Sequence, residues 1–355
     1  MAYTTINKST DHFNTITYTG NGSSGHAITG VGFQPDWTWI KNGTDVSSHN
    51  IYDVVRGLSG GKLKTNTSDN QSYNAQDLSV FGTDGFTVGS NNEVNGSGDN
   101  MYSWNWKAGN SAGSTNNDGN ITSTVTVNTT AGFSIVKYSG TGYAQTVGHG
   151  LGAIPKLIIV KEYTSSGTSQ WQVYHHSLGN TKRLEFSQDA VPSTTSAIWN
   201  DTTPTNQVFS IGTSGAVSES GANYVAYCFL EKTGYSKFGS YTGNGNADGT
   251  FIYTGFKPAF IIRKRTDNTG NWVMQDNKRP GYNRTDAQSQ IPSNNNVFYA
   301  NQNIAEYYQN EGDILSNGFK IRSTDTFGNA SGGTYVYLAF GQSLVGSNNI
   351  PCTAR

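Results

Sequence analysis

Tyr18-Thr19-Gly20-Asn21-Gly22, Tyr138-Ser139-Gly140-Thr141-Gly142 and Tyr241-Thr242-Gly243-Asn244-Gly245 read as one strand end and hairpin turn, written three times. A proline and an apolar strand ending in lysine follow each at matched distance: Pro35 to Lys41, Pro155 to Lys161 and Pro258 to Lys264. Tyrosine, proline and lysine each recur 120 residues on in the second copy and a further 103 in the third. Three landmarks that keep the same two offsets mark internal repetition, the signature of a fold assembled from like units.

The units also end alike. A strand such as Gly85-Phe86-Thr87-Val88, Val208-Phe209-Ser210-Ile211 or Gly318-Phe319-Lys320-Ile321 comes first, and a Ser-Gly turn follows. The closing strand is aromatic: Tyr102-Ser103-Trp104-Asn105-Trp106, Tyr224-Val225-Ala226-Tyr227-Cys228-Phe229 and Tyr335-Val336-Tyr337-Leu338-Ala339-Phe340. Alternation with period two predicts one buried face per strand. The expected organisation is an all-β chain of three tandem modules over 12–108, 132–233 and 235–341, each a β-sandwich or jelly-roll-like double sheet. An arm at 1–11, a Gly/Ser/Asn/Thr-rich linker at 109–131 and a tail at 342–355 lie outside them.

Composition agrees. Charged residues are 13% of the chain, about half the roughly 25% of ordinary soluble domains, and 43 of the 355 residues are glycine. Amides and hydroxyls supply the polarity, and these favour turns over helix interiors. The net charge of −1 gives no field for nucleic acid or an anionic membrane. No 18-residue apolar run is present, and the start lacks the basic and apolar regions of a signal peptide. Cys228 and Cys352 are too few for a disulfide framework and show no metal spacing; Cys228 reads as a small buried residue.

The chemical motifs are weak. Gly20-Asn21-Gly22-Ser23-Ser24-Gly25 matches GxGxxG, but Gly30, Gly32 and Pro35 bar the phosphate-binding helix that must follow. Asn244, Asn246, Asp248 and Gly249 match half an EF-hand loop, yet Gly255 stands where the bidentate glutamate belongs, and tight turns want the same residues. His175-His176 occupies the place that Asp53 and Asp276 hold in the other modules. Asp53 with Arg56, and Asp276 with Arg279, read as ion pairs fixing a turn. No GxSxG elbow between a strand and a helix, no HExxH helix and no spaced Cys/His set occurs, so no catalytic, cofactor-binding or metal residue is nominated. Trp37 with Trp39, and Trp104 with Trp106, lie two apart on their strands. They either fill the core, which alternation favours, or face solvent as stacking surfaces for sugar rings.

Met1-Ala2-Tyr3-Thr4-Thr5-Ile6, Asp11-His12-Phe13-Asn14-Thr15, Val31-Gly32-Phe33-Gln34-Pro35-Asp36-Trp37, Tyr52-Asp53-Val54-Val55-Arg56-Gly57 and Ile350-Pro351-Cys352-Thr353-Ala354-Arg355 carry a resemblance. The chain resembles a family of repeat proteins of marine tailed phages, including cyanophages, described as structural or tail-fibre-like and containing a domain of unknown function. That resemblance implies a virion structural protein on the particle exterior, on tail or capsid, and not an enzyme. It implies no catalytic residues and no cofactor. A tail fibre or external appendage is the expected role, working through contacts with other virion proteins. A head-decoration or knob protein and a receptor- or glycan-binding module are the alternatives, ahead of a polysaccharide-degrading enzyme. The arm and tail are expected to be ordered by neighbouring chains, in a homo-oligomer with a trimer among the candidates.

Overall fold

The computed structural model describes residues 4–164, 168–279, 296–309 and 311–343. Strand makes up 43% of it and helix 7%, so the all-β expectation holds. Three large antiparallel sheets share one strand order. The opening strand (Phe13–Thr19, Phe133–Ser139, Ser236–Thr242) lies beside the closing strand (Asn100–Trp106, Asn223–Phe229, Thr334–Ser343). Next comes the strand marked by the proline, which precedes Trp37–Asn42 and Leu157–Glu162 and lies within Phe256–Arg265, then a fourth (Asn50–Asp53, Gln172–His175, Val273–Asp276) and a fifth (Leu63–Lys64, Lys182–Glu185, Asn296–Tyr299). A small sheet backs each large one: His26–Thr29 with Gly85–Val88 and Leu78–Gly82, Gln145–Gly148 with Val208–Ile211, and Phe251–Tyr253 with Gly318–Ile321 and Gly312–Leu315. The space between large and small sheet is an apolar core in each case, as in Val147, Ile158, Phe209 and Ile211 of the second module. These are β-sandwiches.

One-turn helices Asn92–Asn95, Gly215–Ser218 and Thr326–Asn329 precede the closing strands, capped by the side chains of Asn91, Ser214 and Asp325. The opening tyrosine ties down each of them. Tyr18, Tyr138 and Tyr241 donate their hydroxyls to the carbonyls of Val94, Val217 and Gly328, at 2.6, 3.0 and 2.8 Å. The tyrosine that marks the repeat in the sequence thus makes the same bond three times.

The other faces of the three large sheets meet one another in a single core. Register sorts its residues into layers. Phe13, Trp106 and Trp37 align across the first sheet, Phe133, Phe229 and Leu157 across the second, and Phe340 and Phe260 in the third. Rings of this layer touch between modules: Trp37 meets Phe133 at 5.8 Å, Phe13 meets Phe340 at 5.6 Å, and Phe229 meets Phe340 at 5.6 Å. The three modules therefore stand side by side in the same axial sense around one aromatic column. Residues 4–12 and the end of Thr334–Ser343 lie at the Phe13 end, and the turns after Thr19, Ser139 and Thr242 lie at the other.

One expectation needs correction. The stretch 109–131 is not a free linker, because Ser114–Asn116 and Ser123–Asn128 add two strands to the edge of the second sheet. Thr124-Val125-Thr126-Val127 alternates as a strand should, and the surrounding Gly, Ser and Asn masked that signal. Residues 4–11 pack against their own chain. Ile6 is buried in the shared core, Thr4 and Ser9 are buried beside it, and Ser9–Asp11 forms a 3-10 turn. Most of the expected tail, 344–355 with Cys352, lies outside the described residues, while Gln342 and Ser343 complete the last strand.

Candidate functional site

The four tryptophans singled out from the sequence do not form a binding surface. None of Trp37, Trp39, Trp104 and Trp106 is more than 2% exposed, and all four lie in the core shared by the modules. Each buries about 150–250 Å² of ring, which fixes how the three sheets meet. Sugar stacking on these rings is excluded by their burial.

Chemistry-bearing side chains gather instead at the three seams between modules, and they do so in one rotational sense. At the seam of module two with module one, Tyr227 donates its hydroxyl to Asp53 Oδ2 at 2.8 Å. The Trp171 indole donates to the Lys64 carbonyl at 2.9 Å, and Lys161 Nζ to the Ser68 carbonyl at 3.2 Å. At the seam of module one with module three, the Trp104 indole donates to Asp276 Oδ2 at 3.1 Å and Thr65 to the Ala300 carbonyl at 2.6 Å. At the seam of module three with module two, the Trp272 indole donates to the carbonyls of Glu185 and Gln188, and Lys264 Nζ to that of Asp189.

The Asp-Arg pairs lie inside these seams. Arg56 Nε donates to Asp53 Oδ2 at 2.6 Å and Arg279 Nε to Asp276 Oδ2 at 2.7 Å, all four side chains 1% exposed or less. Each carboxylate also takes the arginine's own backbone N–H, so the turn is closed from both sides. Arg279 has a second carboxylate, Glu306, at 3.3 Å, and its guanidinium lies 4.5 Å from the Phe298 ring centre. Pairing raises the pKa of both arginines against the desolvation that would lower it. Charges so enclosed hold backbone in place, and they face no open space.

In module two the same place holds His175 and, three residues on, Leu178. His175 Nδ1 accepts the Ser177 N–H at 3.2 Å, which leaves Nε2 to donate to the Tyr337 carbonyl of module three at 3.1 Å. Burial pushes its pKa down to about 3, so the ring is neutral. His176 donates Nε2 to the Phe238 carbonyl at 2.9 Å. Both histidines are engaged by backbone, and no group of three His, Cys, Asp or Glu side chains able to hold a metal occurs among the described residues.

The lysines that end the proline strand, Lys41, Lys161 and Lys264, are all fully buried. Desolvation lowers each to about 8, and each donates to the carbonyl of the residue after it. The Cys228 thiol is buried and its pKa raised by desolvation, which makes it inert.

The remaining motifs are turn chemistry. Asn95, fully buried, accepts the Asn21 N–H and donates to Asn21 Oδ1 and to the carbonyls of Ser23 and Gly89, locking the glycine-rich turn. Asn329 does the same for Asn244 and Asn246. Asp248 is paired with Lys320 at 2.6 Å, so the calcium-like loop offers its carboxylate to a cation the protein already supplies.

Among the grooves at the surface of the described residues, two are of note. One of about 410 Å³ lies where Ser9, Thr10 and Asn14 face Lys257, Asn277 and Lys278, with no acid or histidine in its lining. The other, about 370 Å³, collects Glu162, Glu185 and Glu219 beside Arg183. There Glu185 is bonded to Arg183, Glu162 accepts the Thr164 N–H, and Glu219 is exposed. No helix among the described residues is long and apolar enough to cross a membrane.

One feature was missed by sequence reasoning. Phe251 and Tyr253 are 43% and 57% exposed on the outer face of the third small sheet, with Ile252 buried between them. The alternation Phe-Ile-Tyr after a glycine turn was the available signal.

Among known families, a model described as a domain of unknown function, DUF7483, matches residues 8–343. Neither the curated proteins nor the solved structures contain a match.

Proposed function

The chain belongs to the DUF7483 family, and we propose that it is a structural component of the exterior of a tailed-phage virion, acting through assembly rather than catalysis. The observation that carries this reading is the axial layout: three β-sandwiches stand in the same sense round one sealed aromatic column. Such a body has a base, where residues 4–12 and the end of the last strand meet, and a tip, where three hairpin turns are locked by Asn95, Ser218 and Asn329. That geometry suits a knob carried by a fibre or appendage. The phage resemblance of the sequence supports the same assignment, and the seam residues support it negatively, since their charges are spent on one another.

The test is mass spectrometry of purified particles of a phage encoding this chain, with cryo-EM of the same particles. The chain should be present at fixed stoichiometry, with density for a three-lobed knob on tail or appendage. Absence of the chain from intact particles would overturn the reading. Density on the capsid shell would move it to a head decoration.

A further inference from the structure

We propose that Phe251 and Tyr253 form a stacking platform for a neutral saccharide. Two rings stand where the other modules carry small residues, whatever the place of the chain on a virion. Register places Phe251 opposite Lys320 and Tyr253 opposite Gly318. In module one the same cross-strand positions pair Ala27 with Thr87 and Thr29 with Gly85. In module two they pair Thr146 with Ser210 and Gly148 with Val208. The sandwich therefore stands with Ala and Thr, or Thr and Gly, where module three displays two aromatic rings.

A structural reason for the rings is their use as a lid on a strand glycine, a known stabilising device. Phe251 does lie against Gly318, since a Cβ there would meet its ring at 3.1 Å. Yet Gly85 occupies the equivalent place in module one with only Thr29 opposite and Ala27 diagonal to it, and that sheet is formed all the same. Covering the glycine does not require two half-exposed aromatics.

What the rings face decides the ligand. The outward side of this sheet carries Gly318 and Leu315 and is bordered by two charge pairs. Lys320 meets Asp248, and Arg322 meets Asp313. Opposite charges there match one another, so the rim attracts neither anion nor cation strongly while offering donors and acceptors to hydroxyls. Side chains two apart on a strand are about 7 Å apart, which sets two rings side by side beneath consecutive sugar units. The rings expose about 200 Å² between them, well below the roughly 800 Å² per partner of a stable protein interface. A pyranose presents an apolar face to stack and a hydroxyl rim to bond, and it fits both features.

The test uses the full chain and the double variant F251A/Y253T, which installs the residues module one carries and so should fold. Affinity electrophoresis through gels containing laminarin, dextran, mannan or agarose-derived galactan reads binding, with thermal melting as the folding control. Wild type should be retarded by at least one of these polymers, and the variant should bind at least tenfold more weakly with an unchanged melting temperature. No retardation of wild type by any of the four, or equal retardation of the variant, would overturn the proposal. It is overturned too if wild type self-associates in sedimentation and the variant does not, for the face would then be a protein contact.

Discussion

Two of the three seams are closed by a buried carboxylate and the third by an imidazole, and the difference follows from what each faces. Asp53 meets the Tyr227 hydroxyl and Asp276 meets the Trp104 indole. The register-equivalent residue of module three is Leu338, paired with Ile262 as Tyr227 is with Ile159 and Trp104 with Trp39. Leucine has no proton to give, so the module two position presents a donor of its own and reaches the Tyr337 carbonyl. Leu178 replaces the arginine at the same time. A buried charge survives where its partners are present, and where one is missing the whole set becomes neutral.

That comparison can be broken. His175→Asp places a carboxylate opposite a carbonyl and a leucine, and should lower unfolding stability by about 4 kcal/mol, as breaking buried ion pairs does. Adding Leu178→Arg should restore part of the loss, read by urea denaturation at pH 7. A double variant no better than the single would show that the seam is not built on this pairing.

The two charged seams should also differ from each other. Asp53→Asn strips Arg56 of its carboxylate and should cost about 3 kcal/mol. Asp276→Asn should cost about 2 kcal/mol, because Arg279 keeps Glu306 at 3.3 Å. Equal losses in matched denaturation curves would remove Glu306 from the account.

The imidazole seam has a pH signature. Folding lowers the His175 pKa from about 6.5 to about 3, so the unfolded chain binds the extra proton between these values. Its contribution is complete above about pH 6.5 and lost as pH falls towards 3. Asp36, raised to about 6 by burial, has the opposite sign over an overlapping range. The difference between wild type and His175→Gln isolates the histidine: the wild type should lose more stability from pH 7 to 4, followed by thermal melting.

The smallest effect belongs to the lysines. Lys161→Met should change stability by less than about 1 kcal/mol at pH 7, since exchanging a desolvated charge for apolar bulk is often neutral. With a folded pKa of about 8 against 10.5 unfolded, the wild type gains on the variant as pH rises from 8 towards 10. A constant difference across that range would mean that Lys161 is not desolvated as described.

Much of this fold was legible, because hairpin glycines, prolines and alternating aromatics are local signals. Pro35 and Pro155 lead into the strand expected, Pro258 lies near the start of its own, and each closing strand falls where its alternation placed it. Period two gave the tryptophans one face per strand but not what that face met, since contact between distant sheets leaves no local pattern. The strands in 109–131 were hidden by composition, and Ile6 stands alone among the polar residues 4–11. The equivalence of His175 with Asp53 and Asp276 was readable, whereas its cause, Leu338 in another module, required the seam.

The three modules share one core and cannot stand apart. Differential scanning calorimetry of the full chain tests this most directly. A shared core predicts a single transition whose calorimetric and van't Hoff enthalpies agree. Separate transitions, or a calorimetric enthalpy about three times the van't Hoff value, would show three independent sandwiches and contradict the account.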